Sequence, residues 1–223
     1  MVGAPEKVSV GIAGLDAILT GGFPAGEATL VTGGPGAGKT VLASQVASYW
    51  AGTEGPTLYV AFEESPESIV ANTGTFDWHD DGVVGRTLHF IDAQPTTRAV
   101  FAGSFSLDGL FASLRAVIDE HGIRFVVLDG IDQLLDLLPS ALVRRRQFLQ
   151  LLDTLSAWAL TGLITVKRRD GPGDPDYVFM QYAMQCVLRL ENGGGPLGAR
   201  RSLTVVKYRG SRSLPGMHRC MPG

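Results

Sequence analysis

The chain has 223 residues, 45% hydrophobic and 18% charged, which is enough apolar material for one ordinary α/β core and excludes a low-hydrophobicity disordered chain. Its net charge of −3 and pI near 5.8 give no global attraction to nucleic acid or to an anionic membrane. Cys186 and Cys220 are too few and too far apart for a metal knuckle or disulfide framework, and no apolar run approaches the ~18 residues of a spanning helix.

A soluble, cytoplasmic protein of one domain, residues 1–223, is therefore expected, with no signal-peptide core in its first residues. The first helical pattern is Gly14-Leu15-Asp16-Ala17-Ile18-Leu19-Thr20, closed by turn residues from Gly21 to Gly26. Ala28-Thr29-Leu30-Val31-Thr32 then reads as a strand and Thr40 to Ala47 as the start of an amphipathic helix. Between them stand Gly33, Gly34, Pro35, Gly36, Ala37, Gly38, Lys39 and Thr40, followed by Val41, which satisfy the Gly-x4-Gly-Lys-Ser/Thr pattern in its strand–loop–helix setting. Such a loop turns its N–H groups toward a β-phosphate, with Lys39 reaching the β and γ oxygens and the Thr40 hydroxyl on Mg²⁺.

Thr57-Leu58-Tyr59-Val60-Ala61-Phe62 is a continuous apolar run of the kind buried on both faces of a parallel sheet. At its carboxyl end stand Glu63 and Glu64, before Ser65 as N-cap and Pro66 as first helical residue. Parallel sheets bind ligands at the carboxyl ends of their strands, so this pair faces the phosphate loop's edge, although acids that merely stabilise a helix start would look the same. Phe76 and Trp78 are expected to pack beneath a polar turn, and Leu88 to Asp92 reads as a strand. Residues 93–105 lack a period and are expected to form a loop, while Leu107 to Ile118 is helical in spacing.

Arg124-Phe125-Val126-Val127-Leu128-Asp129 delivers a carboxylate to the sheet edge about 90 residues after the loop, where Asp129 can hold Mg²⁺ through water. Residues 141–159 are expected to form a long helix whose Phe148, Leu151, Leu152, Leu155 and Trp158 make a core stripe; Arg144-Arg145-Arg146 at its start could touch nucleic acid or a neighbouring subunit, but such a short run is usually a solvated face. A strand over residues 162–166 leads into a charged, Pro/Gly-rich excursion from Lys167 to Pro175. Two further strands, 185–190 and 202–206, read as a hairpin joined by Glu191 to Pro196, and after it come Lys207, Arg209 and Arg212. These cations either blunt a sheet edge or reach a phosphate on another subunit.

Five motifs in this order resemble the KaiC-like group of RecA-fold ATPases: Gly11 to Gly26, the phosphate loop, Phe62-Glu63-Glu64-Ser65-Pro66, Val126-Val127-Leu128-Asp129, and Lys207-Tyr208-Arg209-Gly210-Ser211. The resemblance implies a RecA-like P-loop core, a mostly parallel sheet flanked by helices with a C-terminal β-hairpin. It also implies an Mg²⁺-dependent ATPase that assembles as a homohexameric ring, with ATP at each subunit interface and nucleotide state controlling assembly or a regulatory partner protein. On that reading Glu63 is the general base beside Glu64, and Lys207 and Arg209 approach the γ-phosphate of the adjacent subunit. Three departures qualify it. Gln181 and Tyr182 stand where the phosphorylating domain known in the family has a Ser-Thr pair, so self-phosphorylation there is not expected. Lys167 replaces a Glu common in the family. The family usually continues past the Lys-x-Arg element with another strand, whereas this sequence ends at Gly223. An ATP-binding assembly scaffold with negligible turnover is the alternative, and a RecA/RadA-type DNA-dependent ATPase a third reading, with nucleic acid disfavoured by the acidic pI.

Overall fold

The computed structural model describes residues 6–95, 107–168, 175–195 and 198–220. Of the two expected loops, 93–105 lies outside the described residues from 96 onward, and 167–175 is described only at its ends. The chain opens with β1 (Lys7–Val8), α1 (Ala13–Ile18) and β2 (Phe23–Pro24), followed by β3 (Ala28–Gly33), α2 (Lys39–Thr53), β4 (Thr57–Ala61), α3 (Pro66–Thr73) and β5 (Leu88–Asp92). It continues with α4 (Leu107–His121), β6 (Phe125–Asp129), α5 (Asp132–Leu135), α6 (Ala141–Ala157), β7 (Thr161–Lys167) and α7 (Pro175–Ala183). It closes with β8 (Cys186–Gly195), β9 (Gly198–Tyr208) and β10 (Met217–Cys220).

Among the described residues eight strands form one sheet in the order β10-β9-β8-β3-β7-β6-β4-β5, while β1 and β2 pair separately. The pairings from β8 across to β5 are parallel, and β9 and β10 add antiparallel strands at the other side. Helices and a mostly parallel sheet thus give the α/β, RecA-like architecture.

Strand residues alternate between two cores, as a period of two requires. Leu58, Val60, Val126, Leu128 and Ile164 pack with Leu114 of α4 and Phe148, Leu151 and Leu155 of α6. Tyr59, Ala61, Phe125, Val127 and Leu163 pack with Ala43, Val46, Ala47 and Trp50 of α2. The buried side of α2 is largely Ala and Ser, which lets the helix lie close to the sheet behind the loop that starts it. Trp50 stacks on Phe125 with centroids 4.6 Å apart. Phe76 and Trp78 stack on one another at 5.2 Å. Ser65 caps α3 as its sequence indicates, its hydroxyl accepting from the Ser68 N–H at 3.2 Å.

Several elements differ from the sequence reading. Glu191–Gly195 is strand, because an antiparallel pair can extend by backbone hydrogen bonds alone and needs no apolar side chain. By the same register Lys207 and Tyr208 lie inside β9, not after it. The helix α7 follows a Pro/Gly-rich stretch that hides its start, yet its Met180 is fully buried. A strand does follow the Lys-x-Arg element: β10 pairs with β9, His218 opposite Leu203.

Candidate active site at the carboxyl edge of the sheet

Parallel pairing brings the carboxyl ends of β3, β4, β6 and β7 to one edge, and the phosphate loop leaves β3 there. Gly33 must be glycine: a Cβ would sit 2.8 Å from the Leu190 carbonyl oxygen. Gly38, the N-cap of α2, has φ 94°, and no side chain caps the helix, so its first N–H groups are available to an anion. The Lys39 ammonium folds back on the loop, donating to the carbonyls of Gly33 at 2.9 Å and Gly34 at 3.2 Å. Burial pushes its pKa below the usual lysine value, opposed by the nearby carboxylates of Glu63, Asp132 and Asp129.

Asp129 ends β6 and is 4% exposed. The Tyr59 hydroxyl donates to its Oδ2 at 2.9 Å and the Thr165 hydroxyl to its Oδ1 at 2.5 Å. Ser44 donates in turn to Tyr59 at 3.5 Å. Burial pushes the Asp129 carboxyl up, against hydrogen bonds with Thr165, Tyr59 and Thr40. Thr40 and Asp129 are therefore neighbours, as a shared ion requires. Two oxygen donors, one a carboxylate already holding two hydroxyls, fit a magnesium ion that keeps its waters and takes its other ligands from a nucleotide's phosphates. Among the described residues no group of three or more His, Cys, Asp or Glu could hold a metal alone.

Glu63 and Glu64 follow β4. The Glu63 Oε1 is 2.6 Å from the Lys167 ammonium at the end of β7. Glu64 turns onto α3, its Oε2 accepting from Ser68 Oγ at 3.2 Å and Asn72 Nδ2 at 3.0 Å. Asp132 is also buried and accepts from the Lys167 N–H at 3.2 Å. Burial raises its pKa as well.

The structure thus brings together the loop from Gly33 to Val41, Lys39, Thr40, Asp129 and Glu63. It does not bring Lys207 and Arg209 to them. Lys207 pairs with Val187, which is level with Leu30, so it stands about 10 Å back along the strand direction from Gly33. Its ammonium donates to the carbonyls of Gln181 and Tyr182 at the end of α7, both at 2.9 Å, and Arg209 donates to Tyr182 at 3.0 Å. Tyr59, Thr165, Asp132 and the Lys167–Glu63 pair were not singled out from sequence as parts of the site. Their one signal is a polar side chain within or at the end of a buried strand.

Beside the loop lies a mostly apolar cavity of about 290 Å³. Gly38, Val41 and Leu42 form one wall and Leu203, Arg201 and Arg219 of the C-terminal strands another.

The sequence model of the family described as "ATPase: KaiC" matches residues 8–220. The circadian clock oscillator protein KaiC of Prochlorococcus marinus subsp. pastoris is 31% identical over 215 residues, 95% of this chain and 42% of that protein. KaiC of Picosynechococcus is 31% identical over the same shares. The circadian clock protein KaiC2 of Synechocystis is 31% identical over 212 residues, 92% of this chain and 37% of its own length. The chain thus spans well under half the length of these curated relatives. No described helix is long and apolar enough to cross a membrane.

Proposed function

This chain belongs to the KaiC family of ATPases, and from that premise we propose that it binds Mg·ATP at Gly33–Val41 and hydrolyses it slowly where copies of the chain meet in a hexameric ring. Nucleotide state then controls the ring or a partner protein. Water attacks the γ-phosphorus, the bond to the bridging oxygen breaks, ADP leaves, and the Glu63 carboxylate accepts the water's proton. Thr40, and Asp129 through water, would hold Mg²⁺, which would supply charge neutralisation at the phosphate oxygens. The nucleobase fits the apolar cavity against Val41 and Leu42.

The observation that carries the interface reading is the separation of the cations from the loop. Lys207 and Arg209 lie toward the opposite strand ends from Gly33 and are directed at α7. They serve a γ-phosphate only if it belongs to another copy, as an arginine finger supplied in trans does. The test is ATP hydrolysis against protein concentration, with mass by light scattering in the same samples. Specific activity should rise as the ring assembles. Activity independent of assembly would sink the interface claim.

The scaffold reading, with ATP binding and negligible turnover, has one observation in its favour: the carboxylate assigned as base is engaged by Lys167. In that case the ring forms with ATP and phosphate release is equally small for the native chain and Glu63→Gln.

A further inference from the structure

Lys167 and Glu63 come from strands that are not neighbours, since β6 lies between β4 and β7. The register explains how they meet. Ala61 pairs with Asp129, and Leu128 pairs with Ile164, so Glu63 and Lys167 each stand two residues beyond the level where β6 ends. There Gly130 takes φ 76° and turns the chain aside, and a Cβ on it would be 3.2 Å from the Glu63 Cβ. The two side chains therefore close over the end of β6, Nζ to Oε1 2.6 Å.

The backbone of Lys167 is tied to the phosphate loop. It is the register partner of Gly33, and the Arg168 N–H donates to the Gly33 carbonyl at 3.0 Å. Its own N–H is fixed by Asp132 at 3.2 Å. The side chain, by contrast, is 34% exposed and its glutamate partner 40%, so the pair is weak and exchangeable. Other cations at this edge are engaged elsewhere: Lys39 on the loop carbonyls, Arg168 on Glu191 at 3.1 Å.

We propose that Lys167 is a positioning residue that reads the γ-phosphate: its ammonium holds Glu63 until a γ-phosphate reaches the loop, then moves to that phosphate and leaves the carboxylate to accept a proton from water. The inference rests on the ATPase reading above. A γ-phosphate brings more negative charge to the loop than one carboxylate carries, and lysine's flexible stem and three donors allow the exchange. ADP supplies no such competitor, so the pair persists with it.

The test uses the full chain, with calorimetric binding of ADP and of the β,γ-imido analogue of ATP, and steady-state hydrolysis of ATP. Lys167→Gln should weaken the analogue about tenfold or more while leaving ADP within about twofold, and should lower kcat. Lys167→Arg should restore part of both effects. Lys167→Met replaces the glutamine variant if that one melts early. Equal weakening of both nucleotides, or no change in their ratio, overturns the inference. Loss of the ratio with kcat unchanged also overturns it, because the contact with the γ-phosphate would then contribute nothing to the reaction. Failure of the ATPase reading is seen separately, as turnover that does not differ between the native chain and Glu63→Gln. The nucleotide ratio is measured without turnover and still decides whether Lys167 meets the γ-phosphate.

Discussion

Glu63 and Glu64 are adjacent in the chain, yet their carboxylates are held by different parts of the fold, one by Lys167 at the end of β7 and the other by Ser68 and Asn72 of α3. The fold therefore separates two acids that the sequence presents as a pair. Glu63→Gln should lower single-turnover hydrolysis by about 10²–10⁴-fold with ATP affinity kept. Glu64→Gln should retain most activity, because the amide oxygen still accepts from Ser68 and Asn72. Equal loss in the two variants would remove Glu63 from its special place.

If Lys207 and Arg209 act on a neighbour's nucleotide, two inactive proteins should complement each other. Lys39→Ala lacks the loop lysine but still offers its Arg209. Arg209→Ala lacks the cation but keeps a complete loop. Random mixing at equal amounts should restore about a quarter of native interfaces, and activity in proportion. Mixed samples no more active than the sum of the separate proteins, with mixing verified by mass, would count against action in trans.

The phosphate loop, the order of the principal strands and the carboxylate of Asp129 were legible in the sequence because each rests on local chemistry: a glycine pattern between a strand and a helix, or an apolar run ending in an acid. Glu63's partner was not legible. Lys167 reads as the first residue of a charged excursion and as a departure from a Glu common in the family, and only the registers β4–β6 and β6–β7 together place it level with Glu63. Tyr59 and Thr165 look like ordinary strand residues until pairing brings their hydroxyls to the two oxygens of one buried carboxylate. The extent of the β8–β9 hairpin was hidden for a different reason. Its outer part is glycine-rich and carries a backbone ladder with no hydrophobic alternation to reveal it.

Gly130 offers a test of how closely Glu63 is seated. Its φ of 76° alone makes alanine unfavourable by roughly 1–2 kcal/mol. The added methyl would also press on the Glu63 Cβ at 3.2 Å. Gly130→Ala should lower urea stability by about that amount and, under conditions where it remains folded, reduce turnover while ADP affinity stays near native. A stability loss with unchanged turnover would show that Glu63 tolerates displacement.

The Tyr59 hydroxyl is fully buried between Ser44 and Asp129. Tyr59→Phe keeps the ring's packing against Phe90, centroids 5.3 Å apart, and removes one donor from a buried carboxylate. A cost of about 1–3 kcal/mol in urea denaturation is expected. Bound Mg·ATP should recover part of it by linkage. A neutral effect would mean that Thr165 and Thr40 alone satisfy Asp129.

His89 on β5 and His121 at the end of α4 stack with centroids 3.8 Å apart and planes 13° from parallel. Burial lowers the His89 pKa from 6.5, the His121 charge lowers it further, and Glu120 opposes both. With its folded value below its unfolded one, the native state binds fewer protons than the unfolded chain once pH falls through about 6.5. Stability should therefore be fully present above that pH and decline as pH falls through the folded value. His89 is only partly buried, so the slope will be shallow. Denaturation midpoints measured from about pH 7 to pH 5 should fall for the native chain and fall less for His89→Gln, since other groups titrate alike in both. Parallel curves would show that stacking on His121 places no penalty on protonating His89.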